Sequence, residues 1–255
     1  MLRGVRVIKV GGGEIEDAGW LDRFAAGVKP ARPAVIVHGG GRRISAWQER
    51  LGLPVEMRDG MRVTTPEVAE LAQMVLCGPI RSAIVRALRE RGVDAVGVAG
   101  SDGCLAVELK DPERLGRVGR VTGVDRGFLM RLLDRGMTPV LAPVSVGADG
   151  TAVNVNADDA AVAVANALDA AELLFVSDVP GVMRGAERIA AVARADLDEL
   201  IAGGVVQGGM IAKLKAAVMA SRSPTRIGDV GMLTDPTRGT AIRTAEPAVA
   251  AGATA

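Results

Sequence analysis

VRVIKVGGG, residues 5–13, is a β-branched apolar run that stops in three consecutive glycines. A run of this kind reads as a short strand buried on both faces, as in a parallel sheet. The pattern returns in AVIVHGGG at 34–41, and further strands are expected at 94–98, 104–109, 117–124, 138–142 and 172–176. Helical stretches separate them: 65–91, 125–135, 157–168, 195–202 and 209–221. The first of these breaks at Gly78-Pro79, since proline lacks an amide donor and restricts the residue before it. GADG at 147–150 suits a hairpin turn. Strand, crossover helix and strand in repeated order call for a largely parallel sheet covered on both faces. The expected class is therefore α/β, with two lobes around one continuous sheet. Residues 1–175 form the first lobe and 176–243 the second, and the small-residue tail 244–255 is expected to be flexible.

A chain of 255 residues with 49% hydrophobic content can bury a full core. Its 31 basic and 30 acidic side chains leave a net charge of +1, so no global field draws it to nucleic acid or an anionic membrane. The longest apolar runs are about seven residues and a strand begins almost at once, so neither a membrane span nor a signal peptide is expected, and the location is cytoplasmic. Cys77 and Cys104 lack CxxC or histidine spacing and read as reduced structural thiols.

Five motifs lie at element junctions: VIKVGGG at 7–13, VHGGG at 37–41, NVNAD at 154–158, SDVPG at 177–181 and GGMIAK at 208–213. Lys9 ends the first strand, where open α/β sheets bind ligands, although an edge lysine reaching solvent has the same local sequence. Gly11, Gly12 and Gly13 let backbone amides approach an anion without matching GxGxxG, so no dinucleotide is implied. Gly39, Gly40 and Gly41 lead from a strand into a helix, aiming free amides and the positive helix end at a carboxylate or phosphate. His38, the single histidine, reads either as a base or as a structural residue at a strand end.

Asn154 and Asn156 fall on one face of an extended segment, and Asn156 also suits a helix N-cap ahead of Asp158. Lys213 follows Gly208 and Gly209 on the first turn of a helix, where its ammonium suits a phosphate. No GxxxxGK[ST] occurs, so this is not a P-loop protein. Asp178 and Gly181 end a further strand in a position from which loops hold nucleotides. Arg62, in DGMRVT at 59–64, is a natural partner for a ligand carboxylate or else a surface arginine, with Arg58 a weaker candidate.

The ordered set IKVGGG, VHGGG, DGMRVT, NVNAD, SDVPGV and GGMIAK resembles the amino-acid kinase family from about residue 5 to residue 220. That resemblance implies an αβα sandwich and phosphoryl transfer from ATP, with Mg²⁺ held mainly by nucleotide phosphates and no protein metal site. NVNAD with DGMRVT is most similar to the members that phosphorylate N-acetyl-L-glutamate, which places such a protein in arginine biosynthesis. By the same likeness Lys9, Lys213 and Asp158 are catalytic, and Gly39, Gly40, Arg62, Asn154 and Asn156 bind the acyl amino acid. Gly11, Gly12, Asp178, Val179, Gly181, Val182, Met183, Gly208, Gly209 and Met210 contact ATP. The chain departs from the family pattern in GPIRSAIV after Cys77 and in the short stretch after Ser221, which leaves adenine contacts open. Lys9 stands only eight residues from the first, leaving no room for the N-terminal helix of arginine-inhibited hexamers, so a homodimer insensitive to arginine is expected. Carrier-bound α-aminoadipate, free glutamate, carbamate or a nucleoside monophosphate remain alternative acceptors, and a non-catalytic amino-acid sensor is the alternative outside enzymes.

Overall fold

The computed structural model describes residues 4–220 and 222–243, so the expected flexible tail lies outside the described residues. An eight-stranded sheet runs in the order Ala191–Ala193, Thr240–Arg243, Thr225–Gly228, Glu172–Val176, Arg6–Val10, Ala34–His38, Thr138–Ala142, Ala95–Ala99. Every neighbouring pair is parallel except Thr225–Gly228 with Thr240–Arg243. The interior strands Ala34–His38 and Thr138–Ala142 are buried along their whole length, as a sheet covered on both faces requires.

Two cores flank the sheet. One packs Val7, Val35, Val37 and Leu173 against the helices Arg126–Asp134, Ala157–Leu168, Leu197–Ala202 and Gly209–Ala220. The other packs Ile8, Val10, Ile36 and Leu174 under Ala18–Val28, Gly41–Arg50, Pro66–Val75 and Arg81–Glu90. Odd and even strand positions thus feed opposite helix layers, and the result is an αβα sandwich. A second, four-stranded sheet of Leu105–Leu109, Val118–Val124, Ala152–Val155 and Val144–Val146 borders the carboxyl edge. The GADG turn joins the last two of these strands, which pair antiparallel.

The 65–91 helix breaks where proline predicts: a wide turn at Leu76–Ile80 separates its halves, and Gly78 leaves helical geometry at φ −93° and ψ −106°. The combined run Pro66–Glu90, 25 residues, is long and apolar enough to cross a membrane by length and composition alone. Its Leu71, Val75, Ile80, Ile84 and Leu88 instead fill the second core, which explains the composition. A hairpin forms around Arg58 at Met57–Arg62, and RGTAI at 238–242 supplies the strand Thr240–Arg243, while the hairpin at Met183–Arg188 and the strands at Ala191–Ala193 and Thr225–Gly228 go beyond the elements expected from apolar runs.

Candidate active site

Parallel pairing in register sets Val10 beside both His38 and Val176, so the loops after these three strands open side by side at one edge of the sheet. They meet in a cleft of about 710 Å³, large enough for a small acid beside a nucleotide. Backbone meets backbone where the first two loops cross. A β-carbon on Gly12 would lie 2.5 Å from the Gly40 α-carbon, and the Gly39 amide donates to the Val10 carbonyl at 3.0 Å. Gly40 is the N-cap of Gly41–Arg50, and no side chain caps that helix, which leaves its first amides for a ligand.

Alternation along Arg6–Val10 turns Lys9 to the same face as Val7, beneath the helix Ala157–Leu168. There its ammonium meets Asp158 Oδ1 at 2.6 Å, and both residues are buried. Asn156 fixes the start of that helix, its Oδ1 accepting from the amides of Asp158 at 2.8 Å and Asp159 at 3.1 Å. The capping reading of Asn156 is therefore realised, while the residue still lines the cleft. Leu214, Ala217 and Val218 bury one face of Gly209–Ala220, a spacing that leaves Lys213 facing the cleft. Desolvation pushes the Lys213 ammonium below the ordinary lysine range and Lys9 adds to the effect, against Asp158, Glu14 and Asp178.

Arg62 is buried, and burial lowers its pKa from the ordinary guanidinium value. It donates to Gln48 Oε1, to the Gly41 carbonyl at 2.9 Å and to Ser45 Oγ at 2.9 Å. Gln48 is itself fully buried and donates to the Pro54 carbonyl at 2.5 Å. With no carboxylate paired to it among the described residues, Arg62 keeps donors for a ligand carboxylate. Asn154 Nδ2 donates to Thr64 Oγ1 at 3.3 Å, and Thr64 Oγ1 donates to the Arg62 carbonyl at 2.8 Å.

Lys9, Gly11, Gly12, Gly39, Gly40, Arg62, Asn154, Asn156, Asp158, Asp178, Val179, Gly209, Met210 and Lys213 all line this one cleft. Gly208 stands one residue outside the lining with φ +54°, at the start of the Lys213 helix. Gly181, Val182 and Met183 lie beyond it: Val182 is a core residue whose amide donates to Thr240 Oγ1 at 2.8 Å, and Met183 begins a hairpin. Arg58 is exposed, held by Glu56 at 2.6 Å and by the Arg114 carbonyl at 2.9 Å. His38 is fully buried and does not line the cleft. Cys104 donates to the Ala99 carbonyl at 3.2 Å, and burial pushes its thiol up to about 12, so it is unreactive.

Gln48 and Glu14 lie outside the motifs that point to the site. Gln48 sits four residues after buried Ile44, a polar group on the apolar stripe of its helix, and that placement is a usable signal. Glu14 follows the triple glycine directly and lines the cleft. Among the described residues no cluster of three metal-ligating side chains occurs. One buried carboxylate oxygen without a partner, Glu14 Oε2, fits Mg²⁺, which commonly takes one or two carboxylates with phosphate oxygens and water.

The sequence profile of the amino acid kinase family matches residues 4–229. The chain belongs to the amino acid kinase family. Acetylglutamate kinase of Chloroflexus aurantiacus is 50% identical over 221 residues, covering 85% of this chain and 87% of the relative. The crystal structure of smu.665 from Streptococcus mutans UA159 superposes with a TM-score of 0.83 at 29% identity, covering 94% of this chain and 99% of the other. Carbamate kinase from Giardia lamblia shares the fold at a TM-score of 0.70 and 17% identity, over 96% of this chain and all of the relative (100%).

Proposed function

We propose that this kinase transfers the γ-phosphoryl group of ATP to the γ-carboxylate of N-acetyl-L-glutamate, giving N-acetyl-L-glutamyl 5-phosphate and ADP, the second step of arginine biosynthesis. The observation that carries the reading is the buried Lys9–Asp158 pair facing Lys213 across a cleft walled by two glycine loops. The 50% identity to an acetylglutamate kinase supports the choice of acceptor. The acceptor carboxylate, with a pKa of about 4.3, is already ionised at neutral pH, so a general base is unnecessary and His38 can be structural.

Gly39, Gly40, Arg62, Asn154 and Asn156 hold the acyl amino acid in the lobe of residues 1–175. Gly11 and Gly12, with Asp178, Val179, Gly208, Gly209 and Met210, hold the nucleotide against the lobe of residues 176–243, and Gly181, Val182 and Met183 shape the same loop. Lys9 and Lys213 stabilise the charge that spreads over the phosphoryl oxygens, while Asp158 holds Lys9 in place, so catalysis is positioning plus electrostatics. Mg²⁺, carried mainly by the nucleotide phosphates, would neutralise part of that charge when bound, and Glu14 is the cleft residue that would help to hold it. A cytoplasmic homodimer completes the proposal.

Trapping the acyl phosphate with hydroxylamine tests it. Purified protein and MgATP should yield hydroxamate with N-acetyl-L-glutamate and none with glutamate or α-aminoadipate; product with another acceptor, or with none of them, overturns the assignment. Lys9→Ala and Lys213→Ala should each lower kcat by at least about 10²-fold, the scale of losing one preorganised charge partner. Near-wild-type turnover in either variant would remove that residue from the mechanism.

A further inference from the structure

Three carboxylates line the cleft, and two of them are already engaged. Asp158 holds Lys9 at 2.6 Å, and Asp178 accepts from Ser177 Oγ at 3.1 Å. Glu14 is different. It begins the short turn Glu14–Glu16 directly after the glycines, and its side chain folds back over Gly11. A β-carbon on Gly11 would sit 2.3 Å from Glu14 Oε2, so the carboxylate has its place only because residue 11 is glycine. Oε2 is shut away from water, and among the described residues no hydrogen bond or ion pair reaches the Glu14 side chain, although its carbonyl accepts from the Asp17 amide at 3.1 Å. A carboxylate oxygen withdrawn from water without a donor is costly, and the fold keeps one beside the loop that approaches phosphates.

We infer that Glu14 is the protein's own ligand for the magnesium ion that accompanies the nucleotide, an inference that rests on reading the cleft as a MgATP site. A small, hard dication supplies the charge the carboxylate lacks. Mg²⁺ asks for oxygen donors and fills its other positions with phosphate oxygens and water, so one carboxylate beside Gly11 and Gly12 is a sufficient protein contribution. Glu14 and Lys213 line the same cleft, so the carboxylate stands in the space that the proposed reading gives to the nucleotide phosphates. A purely structural Glu14, serving only as a counter-charge for Lys213, would act on nucleotide binding whether or not magnesium is present.

The test is calorimetric titration of the whole protein with AMP-PNP, once in EDTA and once in excess Mg²⁺, for wild type, Glu14→Gln and Glu14→Asp. In wild type Mg²⁺ should tighten binding. In Glu14→Gln that gain should shrink by at least about 10-fold, the lower end of losses seen when metal-site partners are removed, while affinity in EDTA holds or improves. Glu14→Asp, which keeps a carboxylate, should retain part of the gain and serves as the working variant if Glu14→Gln does not fold. An equal magnesium gain in wild type and both variants overturns the inference, as does a change that is the same with and without Mg²⁺. Failure of wild type to bind AMP-PNP under either condition overturns the reading of the cleft itself, a result distinguishable from failure of the Glu14 assignment alone.

Discussion

Desolvation lowers the Lys213 pKa, Lys9 lowers it further, and the carboxylates of Asp158, Glu14 and Asp178 oppose them without restoring the ordinary value. The free enzyme therefore loses this positive charge at a lower pH than an exposed lysine would. Because kcat/KM reports ionisations of the free enzyme, its value for MgATP should fall on the alkaline side below 10.5. A guanidinium keeps its charge throughout that range, so Lys213→Arg should show lower activity with a flat alkaline limb. An alkaline fall that survives in Lys213→Arg would assign it to another group. If Arg62 binds the substrate carboxylate as proposed, Gln48 acts at one remove, by holding the guanidinium. Its side chain links the guanidinium to the Pro54 carbonyl, so removing its oxygen frees the arginine to swing. Gln48→Met keeps the volume and removes both hydrogen bonds. We expect KM for N-acetyl-L-glutamate to rise about 10-fold, the worth of one charge-assisted hydrogen bond, with kcat little changed. A drop in kcat at constant KM would mean that Gln48 serves the transition state instead.

The glycine loops work as a pair of elements, and their contact is the least forgiving in the cleft. A methyl group on Gly12 runs into the backbone of Gly40, which no rotamer change relieves, whereas one on Gly40 meets only the ends of Leu76 and Ile80. Gly12→Ala should therefore cost more activity than Gly40→Ala, by about 10-fold or more if the loops part by an ångström. Equal losses in the two variants would show that the loops yield together. This contact explains both what the sequence discloses and what it hides. Triple glycines after VIKV and IVH mark two close-approach loops, and the run NVNAD places a cap and an acid at a helix start, because local chemistry dictates each. That Gly12 faces Gly40, or that Thr64 joins Asn154 to the Arg62 segment, follows from strand order and register, which no local pattern carries. The same limit concealed the strands Ala191–Ala193 and Thr225–Gly228, too short or too mixed to stand out, yet held in the sheet by their neighbours. The Lys9–Asp158 pair joins residues far apart in sequence and needed the parallel sheet to bring them together.

At the scale of the whole molecule, the burial of His38 ties stability to pH. The imidazole stands at the end of an interior strand, fully buried, with Nδ1 at 3.1 Å from the Gly39 carbonyl and Nε2 without a hydrogen-bond partner among the described residues. Desolvation, with a smaller push from Arg81 and against the Gly39 bond, brings its pKa from 6.5 down to about 4. The folded protein thus holds the ring neutral in a range where the unfolded chain binds a proton. Stability is fully present above 6.5 and is lost as pH falls toward 4, because between these values the unfolded state carries more protons. Between pH 7 and pH 5 the histidine should withdraw about 2 kcal/mol of folding free energy, from the proton-linkage relation. Urea unfolding at those two pH values measures it. Carboxylates titrate in the same window, but they are common to wild type and His38→Gln, so the comparison isolates the ring. The variant should lose less stability than wild type on going to pH 5, by roughly that amount. Parallel losses would mean that the buried ring takes up its proton without unfolding the sheet around it, and that acid sensitivity arises elsewhere in the molecule.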